Sequence, residues 1–99
     1  MRARARGPVS VRVRVPTQLR ALTGGEGEVT VEATSVGDAL RALDAAHPGL
    51  AERLFDDTGE LRRFVNVFVD DEDVRFLDGL TTVLSGGESV SIVPAVAGG

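Results

Sequence analysis

The 99-residue sequence contains no cysteine and no lysine. Without cysteine there are no disulfide bonds, no thiolate nucleophiles and no cysteine-based zinc sites. Without lysine there is no P-loop lysine, no Schiff base and no side-chain amine to accept an isopeptide bond. The single histidine, His47, cannot build a usual transition-metal site by itself, and its position predicts a helix-end residue instead.

Long apolar runs are missing as well. No segment approaches the roughly 18 apolar residues of a membrane span. Arginines interrupt the N-terminal valines at alternate positions, so no secretory leader is predicted, and we expect a cytoplasmic protein. Aromatic residues are scarce, with four Phe and neither Trp nor Tyr, whereas the many valines favour β-structure.

Charge is distributed unevenly along the chain. The first 20 residues carry six of the 11 arginines and no acidic residue, whereas residues 21–99 carry five arginines and 15 acidic residues, which gives a net charge of −10. Residues 1–8 are predicted to form a disordered basic arm. Residues 21–99 therefore form an acidic body, which disfavours nucleic-acid binding. Its charge would attract it to basic surfaces on partner proteins.

Two segments with period two open the predicted domain. Residues 9–15 place four valines on one face and polar side chains on the other, and residues 28–33 alternate in the same way. Turn residues dominate positions 23–28 between them. The pattern predicts an antiparallel hairpin with a long connection.

The next segment has helical periodicity. Its apolar residues fall on one stripe at three- and four-residue spacing: Val36, Ala39, Leu40 and Leu43. Ser35 and Asp38 resemble a capping box, with Asp in place of Glu. Pro48–Gly49 predicts the end of the helix, and residues 50–55 predict only a short second helical turn.

The second half returns to β-structure. Residues 64–69 alternate again, Asp70–Asp73 predicts a turn, and residues 74–76 predict a short strand. Residues 86–94 predict a turn followed by a final strand, with Val90 and Ile92 inward.

This order of elements predicts a two-layer α+β protein. The candidate is the β-grasp (ubiquitin-like) fold, a mixed four- to five-stranded sheet with one main helix packed across one face. A ferredoxin-like fold needs a second helix of comparable length, for which residues 50–55 are too few. The predicted domain spans residues 9–94, and residues 95–99 are predicted to form a flexible C-terminal tail.

Two motifs that suggest ligands lack the required spacing. Asp70–Asp73 has neither the alternating ligands nor the final Glu of an EF-hand, so it predicts a solvated turn. The glycines of residues 24–27 match no dinucleotide or Walker motif and predict a flexible connection. No catalytic residue, metal site or bound cofactor is predicted in the body.

A small apolar patch is predicted on the face of the sheet that lies away from the helix. If the valines of residues 65–69 face the helix, Phe64 and Phe68 stand on the opposite face, where exposed aromatic side chains mark partner sites. Val93 and Pro94 would extend this partner-binding patch. A satellite core beneath the loops accounts for the two rings equally well.

The last residues suggest which chemical group of the protein is functional. Val96, Ala97, Gly98 and Gly99 are small or apolar and follow the predicted final strand closely. Glycine lacks a Cβ, so its backbone can approach another surface closely. We interpret residues 95–99 as a narrow peptide whose terminal carboxylate can enter another protein's active site. Once activated as an acyl phosphate or adenylate, that carboxylate can react with sulfide or a thiol.

The segments RFVNVFVDDEDVRF and GESVSIVPAVAGG resemble the ThiS/MoaD group of β-grasp sulfur carriers, and most closely its CysO-type branch. The resemblance implies a carrier that is not itself an enzyme. It implies that an adenylating enzyme, related to ubiquitin-activating enzymes, uses ATP to adenylate Gly99. A sulfurtransferase or sulfide source then forms the thiocarboxylate. The resemblance also implies that Gly98 is required because it has no side chain beside the reacting residue.

The resemblance leaves the sulfur acceptor open. In the CysO-type branch it implies a PLP-dependent cysteine synthase, and a metalloprotease that later trims the added cysteine. In other branches the sulfur goes to thiamin thiazole, molybdopterin or secondary metabolites. Two other functions stay open, namely a ubiquitin-like modifier conjugated through Gly99 and a plain β-grasp interaction module. The free protein is expected to be a monomer, without nucleic-acid or membrane partners.

Overall fold

The computed structural model describes residues 7–94, so residues 1–6 of the predicted basic arm and the predicted tail with Val96, Ala97, Gly98 and Gly99 lie outside the described residues. The strands are β1 (Val9–Arg14), β2 (Glu28–Ala33), β3 (Val65–Val69), β4 (Glu72–Asp73) and β5 (Ser89–Pro94). The helices are α1 (Val36–Ala46) and α2 (Leu50–Leu54), with 3-10 helices at Thr17–Thr23, Val74–Phe76 and Gly79–Thr81. Over this described range, no helix is long and apolar enough to cross a membrane.

The strands form one mixed sheet in the order β2-β1-β5-β3-β4. β1 pairs with β2 in the predicted antiparallel hairpin. β5 lies between β1 and β3, parallel to the former and antiparallel to the latter. With α1 packed across one face, this is the β-grasp arrangement expected from the sequence.

The hydrophobic core lies between α1 and one face of the sheet. The predicted helical stripe has no exposed surface: Val36, Ala39, Leu40 and Leu43 are all 0% exposed. It packs with the inward valines of β1 and β3 and with Val90 and Ile92 of β5. Removal of this apolar surface from water is the main favourable contribution to folding.

The ends of α1 follow the sequence prediction closely. The Oγ of Ser35 accepts a hydrogen bond from the backbone N–H of Asp38 at 3.3 Å, which satisfies one free donor of the first turn. The reciprocal half of the predicted capping box is replaced, because the hydroxyl of Thr34 donates to the Asp38 carboxylate. At the other end, His47 is the C-cap, and its N–H donates to the carbonyl of Leu43 at 2.8 Å.

The prediction for the segment after β3 was wrong in detail. The turn predicted over Asp70–Asp73 takes only two residues, because Asp70 turns the chain with a φ of 55° and β4 pairs with β3 directly afterwards. Val74–Phe76, predicted as a strand, is a 3-10 helix. The Asp73 carboxylate accepts the N–H of Arg75 at 2.8 Å and so caps this helix.

The connection between β1 and β2 contains a 3-10 helix, Thr17–Thr23, which the turn residues alone did not predict. Leu19 and Thr23 are buried there. The Nε of Arg20 donates to the carbonyl of Val15 at 3.0 Å and ties the segment to the end of β1. Because β1 and β5 are parallel, this connection lies at the end of the sheet where β5 also ends.

Replacement of Leu40 by alanine should lower the free energy of unfolding by about 3 kcal/mol, because a fully buried side chain leaves a cavity between α1 and the sheet. Chemical denaturation followed by circular dichroism measures the loss. Val83→Ala is the control, since Val83 is 75% exposed and its truncation should change the free energy by less than about 0.5 kcal/mol. Similar losses in both variants would contradict the placement of the core.

Candidate functional site

The residues before the predicted tail lie at the centre of the sheet. β5 pairs with β1 on one side and with β3 on the other. Val90 is 0% exposed and Ile92 is 3% exposed, so this strand is also fixed by its packing against the core. Residues 95–99 therefore continue from a firmly held strand that ends at Pro94.

The outward face of the sheet, opposite α1, is defined by the strand register. Directly opposed residues share a face, so Phe68 lies beside Ser91 and Asn66 lies beside Val93. Phe68 is half-buried and Val93 is 45% exposed. We call Phe68 and Val93 the outward patch.

Phe64 lies close to this patch. It directly precedes β3, at the end of the sheet where Val65 pairs with Pro94, and it is 52% exposed. Neither Phe64 nor Phe68 belongs to the core or to the partly buried residues packed against it. This arrangement favours an exposed patch over the satellite core that the sequence left open.

The placement of Pro94 in this patch was wrong. Pro94 pairs with Val65, which is 5% exposed on the face covered by α1. Alternation along β5 puts Pro94 on the side of Ile92, away from Val93. The prediction assigned two consecutive strand residues to one face, whereas successive side chains of a strand point to opposite faces.

Arg75 holds part of the outward face in position, and the sequence analysis missed it. Its guanidinium donates to the side-chain oxygen of Asn66 and, at 3.0 Å, to the backbone carbonyl of Val65. These contacts fix Asn66 beside Val93. No sequence pattern predicts them, because they depend on the 3-10 helix that brings Arg75 back to β3.

A shallow depression lies where β1 and β5 end, with a volume of about 670 Å³. Its lining includes Ser91 and Val93 of β5 and three charged side chains, those of Arg14, Arg20 and Glu28. We call it the strand-end depression. The sequence analysis did not single it out, because its lining residues come from separate segments that only the fold brings together.

The described residues show no arrangement typical of a metal or catalytic centre. Within 7–94, no three His, Asp or Glu side chains are grouped so that they could hold a metal ion. The pKa of Asp56 lies below its usual range, because the hydroxyl and the backbone N–H of Thr58 donate to its carboxylate. Asp56 is fully exposed and stabilises a turn between Phe55 and Leu61, so this shift has a structural explanation.

Comparison with known proteins identifies the family. The sequence profile of the ThiS family matches residues 13–99. This chain belongs to the ThiS family. The match covers most of the β-grasp domain and runs to the last residue of the sequence, which confirms the resemblance seen in the sequence.

Individual relatives agree with this ThiS-family assignment. The sulfur carrier protein CysO of Mycobacterium tuberculosis strain H37Rv is 47% identical over 93 residues, which are 92% of this chain and 100% of that protein. The crystal structure of M. tuberculosis CysO matches with a TM-score of 0.82 at 46% identity, covering 87% of this chain and 99% of that one.

Two further relatives match the chain over different lengths. A chain of the BexX/CysO complex of Amycolatopsis orientalis matches with a TM-score of 0.84 at 43% identity, covering 90% of this chain and 99% of that one. Small archaeal modifier protein 3 of Haloferax volcanii is 49% identical over 65 residues, 66% of this chain and 70% of that protein. Similarity to sulfur carriers therefore extends over more of the chain than similarity to this modifier.

Two neighbouring residues of β5 test the assignment of the sheet faces. Val93→Asp should cost less than about 1 kcal/mol of stability, because the new carboxylate meets water. Ile92→Asp should prevent cooperative folding, because it places an unpaired charge in the core. Thermal unfolding followed by circular dichroism measures both, and equal sensitivity at the two positions would contradict the register.

Proposed function

We propose that this ThiS-family chain is a sulfur carrier and that Gly99 holds the sulfur as a C-terminal thiocarboxylate. The observation that carries the proposal is the family match, which includes both the domain and residues 95–99. The relative that is 47% identical over 92% of the chain, and bears the name sulfur carrier protein, supports the same function. The chain itself supplies no catalytic group in this proposal.

The proposed chemistry takes place in two steps on other proteins. A carboxylate oxygen of Gly99 attacks the α-phosphorus of ATP, forming an acyl adenylate and releasing pyrophosphate. Sulfide then attacks the acyl carbon, the bond from that carbon to the AMP oxygen breaks, and AMP leaves with the electron pair. Loss of the sulfur-bound proton gives the thiocarboxylate. ATP is thus a substrate of the activating partner.

The proposed partners act on the carrier in the order of these chemical steps. An adenylating enzyme related to ubiquitin-activating enzymes docks first, a sulfurtransferase or free sulfide supplies sulfur, and a PLP-dependent cysteine synthase accepts it. A metalloprotease then removes the added cysteine. The outward patch supports docking of the first partner, since exposed apolar groups with polar neighbours mark interaction sites. The acidic body favours a partner with a basic surface.

The reach of the last residues supports a further part of the proposal, the distance between the docked carrier and the activating site. β5 fixes Pro94 at the end of the sheet, and five residues follow it. Five extended residues span at most about 17 Å. In this proposal the activating site opens within that distance of Pro94, which supports a docking face that includes the outward patch and Phe64.

The ubiquitin-like modifier is the less favoured second candidate. It shares the activation step, and an archaeal relative bears the name modifier protein. That relative is 49% identical over 66% of this chain, and the structure of another archaeal modifier is 31% identical over 89%, compared with 47% identity over 92% for the sulfur carrier. A plain interaction module gives no account of the match to the ThiS family through residue 99.

Deletion of Gly99 should abolish sulfur loading and leave the fold intact, because the reacting carboxylate would move to Gly98 and fall one residue short. Each variant is incubated with the adenylating enzyme, ATP and sulfide, and intact-mass spectrometry detects exchange of one terminal oxygen for sulfur. Addition of one alanine after Gly99 is the control for length, and it should also block loading. Normal loading of either variant would contradict Gly99 as the acceptor.

Phe68→Asp should weaken binding of the adenylating enzyme by about tenfold or more, because it puts a charge in the centre of the docking face. Phe76→Asp is the control, since Phe76 is 84% exposed but lies outside the sheet. Calorimetric titration measures both affinities, after thermal unfolding has shown that the variants are folded. Equal affinities for Phe68→Asp and the unmodified chain would rule out the outward patch as the docking site.

A further inference from the structure

We propose that the strand-end depression is an anion site that holds this chain's own terminal carboxylate in the free protein. The inference rests on the proposed function only in taking Gly99 as the end of the working chain. It adds a resting position for the carboxylate before any partner binds. The argument depends on charge, on the placement of Arg20 and on the reach of residues 95–99.

The depression is positively charged within an acidic body. Arg14, Arg20 and Glu28 line it, two cations against one anion, while residues 21–99 carry a net charge of −10. Over the part of the chain that the structure describes, the recorded ion pair joins Arg41 to Asp38 and involves neither Arg14 nor Arg20. Neither guanidinium is therefore held in an ion pair there, although Glu28 lies directly across the β1–β2 ladder from Arg14.

Arg20 is positioned by the protein. Its Nε donates to the carbonyl of Val15 at 3.0 Å. Its guanidinium also lies against Gly27, where a Cβ would come within 3.1 Å of the guanidinium carbon. A glycine at position 27 thus makes room for the cation at the edge of the depression. A guanidinium fixed through one N–H loses less entropy when its other N–H groups bind a carboxylate.

The end of the chain can reach this site. Pro94 ends β5, and Val93 beside it lines the depression. β1 lies next to β5 and β2 lies next to β1, so Arg20 beside Gly27 lies about two strand spacings, or about 10 Å, to one side. The five residues that follow Pro94 can extend about 17 Å, so the carboxylate can reach both arginines.

The occupant we favour is the chain's own carboxylate rather than an acidic segment of a partner. Residues 95–99 contain no charged side chain, so the terminal carboxylate is the one group there that two arginines would bind. A tethered group also has a high effective concentration, which makes a weak contact sufficient. The contact is reversible and weakened by salt, and the adenylating enzyme competes with it for the tail.

The experiment follows the carboxyl carbon of Gly99 by NMR in free protein labelled with ¹³C-glycine, after intact mass has shown that the chain ends at Gly99. Its chemical shift against pH gives the pKa of the terminal carboxyl. Arg14→Ala combined with Arg20→Ala should raise this pKa by about 0.3, the change expected for loss of an exposed ion pair. Glu28→Gln should lower it, because an anion is removed from the same depression.

Arg12→Ala combined with Arg53→Ala is the matched control, because it also removes two positive charges. Arg12 lies on the same strand and face as Arg14 but lines a different depression, and Arg53 lies on α2, so this pair should change the pKa by less than half as much. Equal effects of the two double variants would overturn the proposal. So would an unchanged pKa combined with a raised KM for the adenylating enzyme, since the arginines would then bind the partner. The titration needs neither ATP nor a partner, so its outcome is independent of sulfur loading.

Discussion

β5 is held from both sides, and the presentation of the chain end depends on that constraint. Its backbone pairs with β1 and β3, and its inward residues Val90 and Ile92 lie in the core beneath α1. Movement of this strand would break two ladders and expose apolar surface at once. A chain end that continues from such a strand starts from a fixed position, so a partner that docks on the sheet also locates the residues that follow.

The two faces of the sheet have different surroundings. One face packs against α1 and supplies stability, whereas the outward face carries Phe68 and Val93 among polar residues. The strand-end depression lies where β1 and β5 end together, because the two strands are parallel neighbours. The outward patch, the strand-end depression and Pro94, the last described residue, therefore lie towards the same end of the sheet, although their residues come from distant parts of the sequence.

The sequence predicted those parts of the fold that depend on local periodicity. Alternation in residues 9–15 and the stripe along α1 each identify one buried face, and the structure confirms both. The 3-10 helix at Thr17–Thr23 has a single pair of apolar residues at three-residue spacing, Leu19 and Leu22, which is too short a pattern to predict a helix. The short turn and the 3-10 helix that follow β3 depend on the positive φ of Asp70 and on the cap formed by Asp73. Individual contacts decide both features.

The candidate site was predictable only in part, for the same reason. The positions of Phe68 and Val93 follow from alternation, but assigning Pro94 to the same face ignored it. Arg14, Arg20 and Glu28 lie on different elements, and only the β1–β5 pairing brings their end of the sheet against Val93. Such groupings are properties of the topology and leave no local pattern in the chain.

The most direct measurement is a fragmentation mass spectrum of the full-length chain after incubation with its adenylating enzyme, ATP and a sulfide source. Sulfur carried at the chain end should appear in place of one oxygen in every fragment that contains Gly99 and in no other fragment. An unchanged mass, or sulfur located on any other residue, would contradict the account.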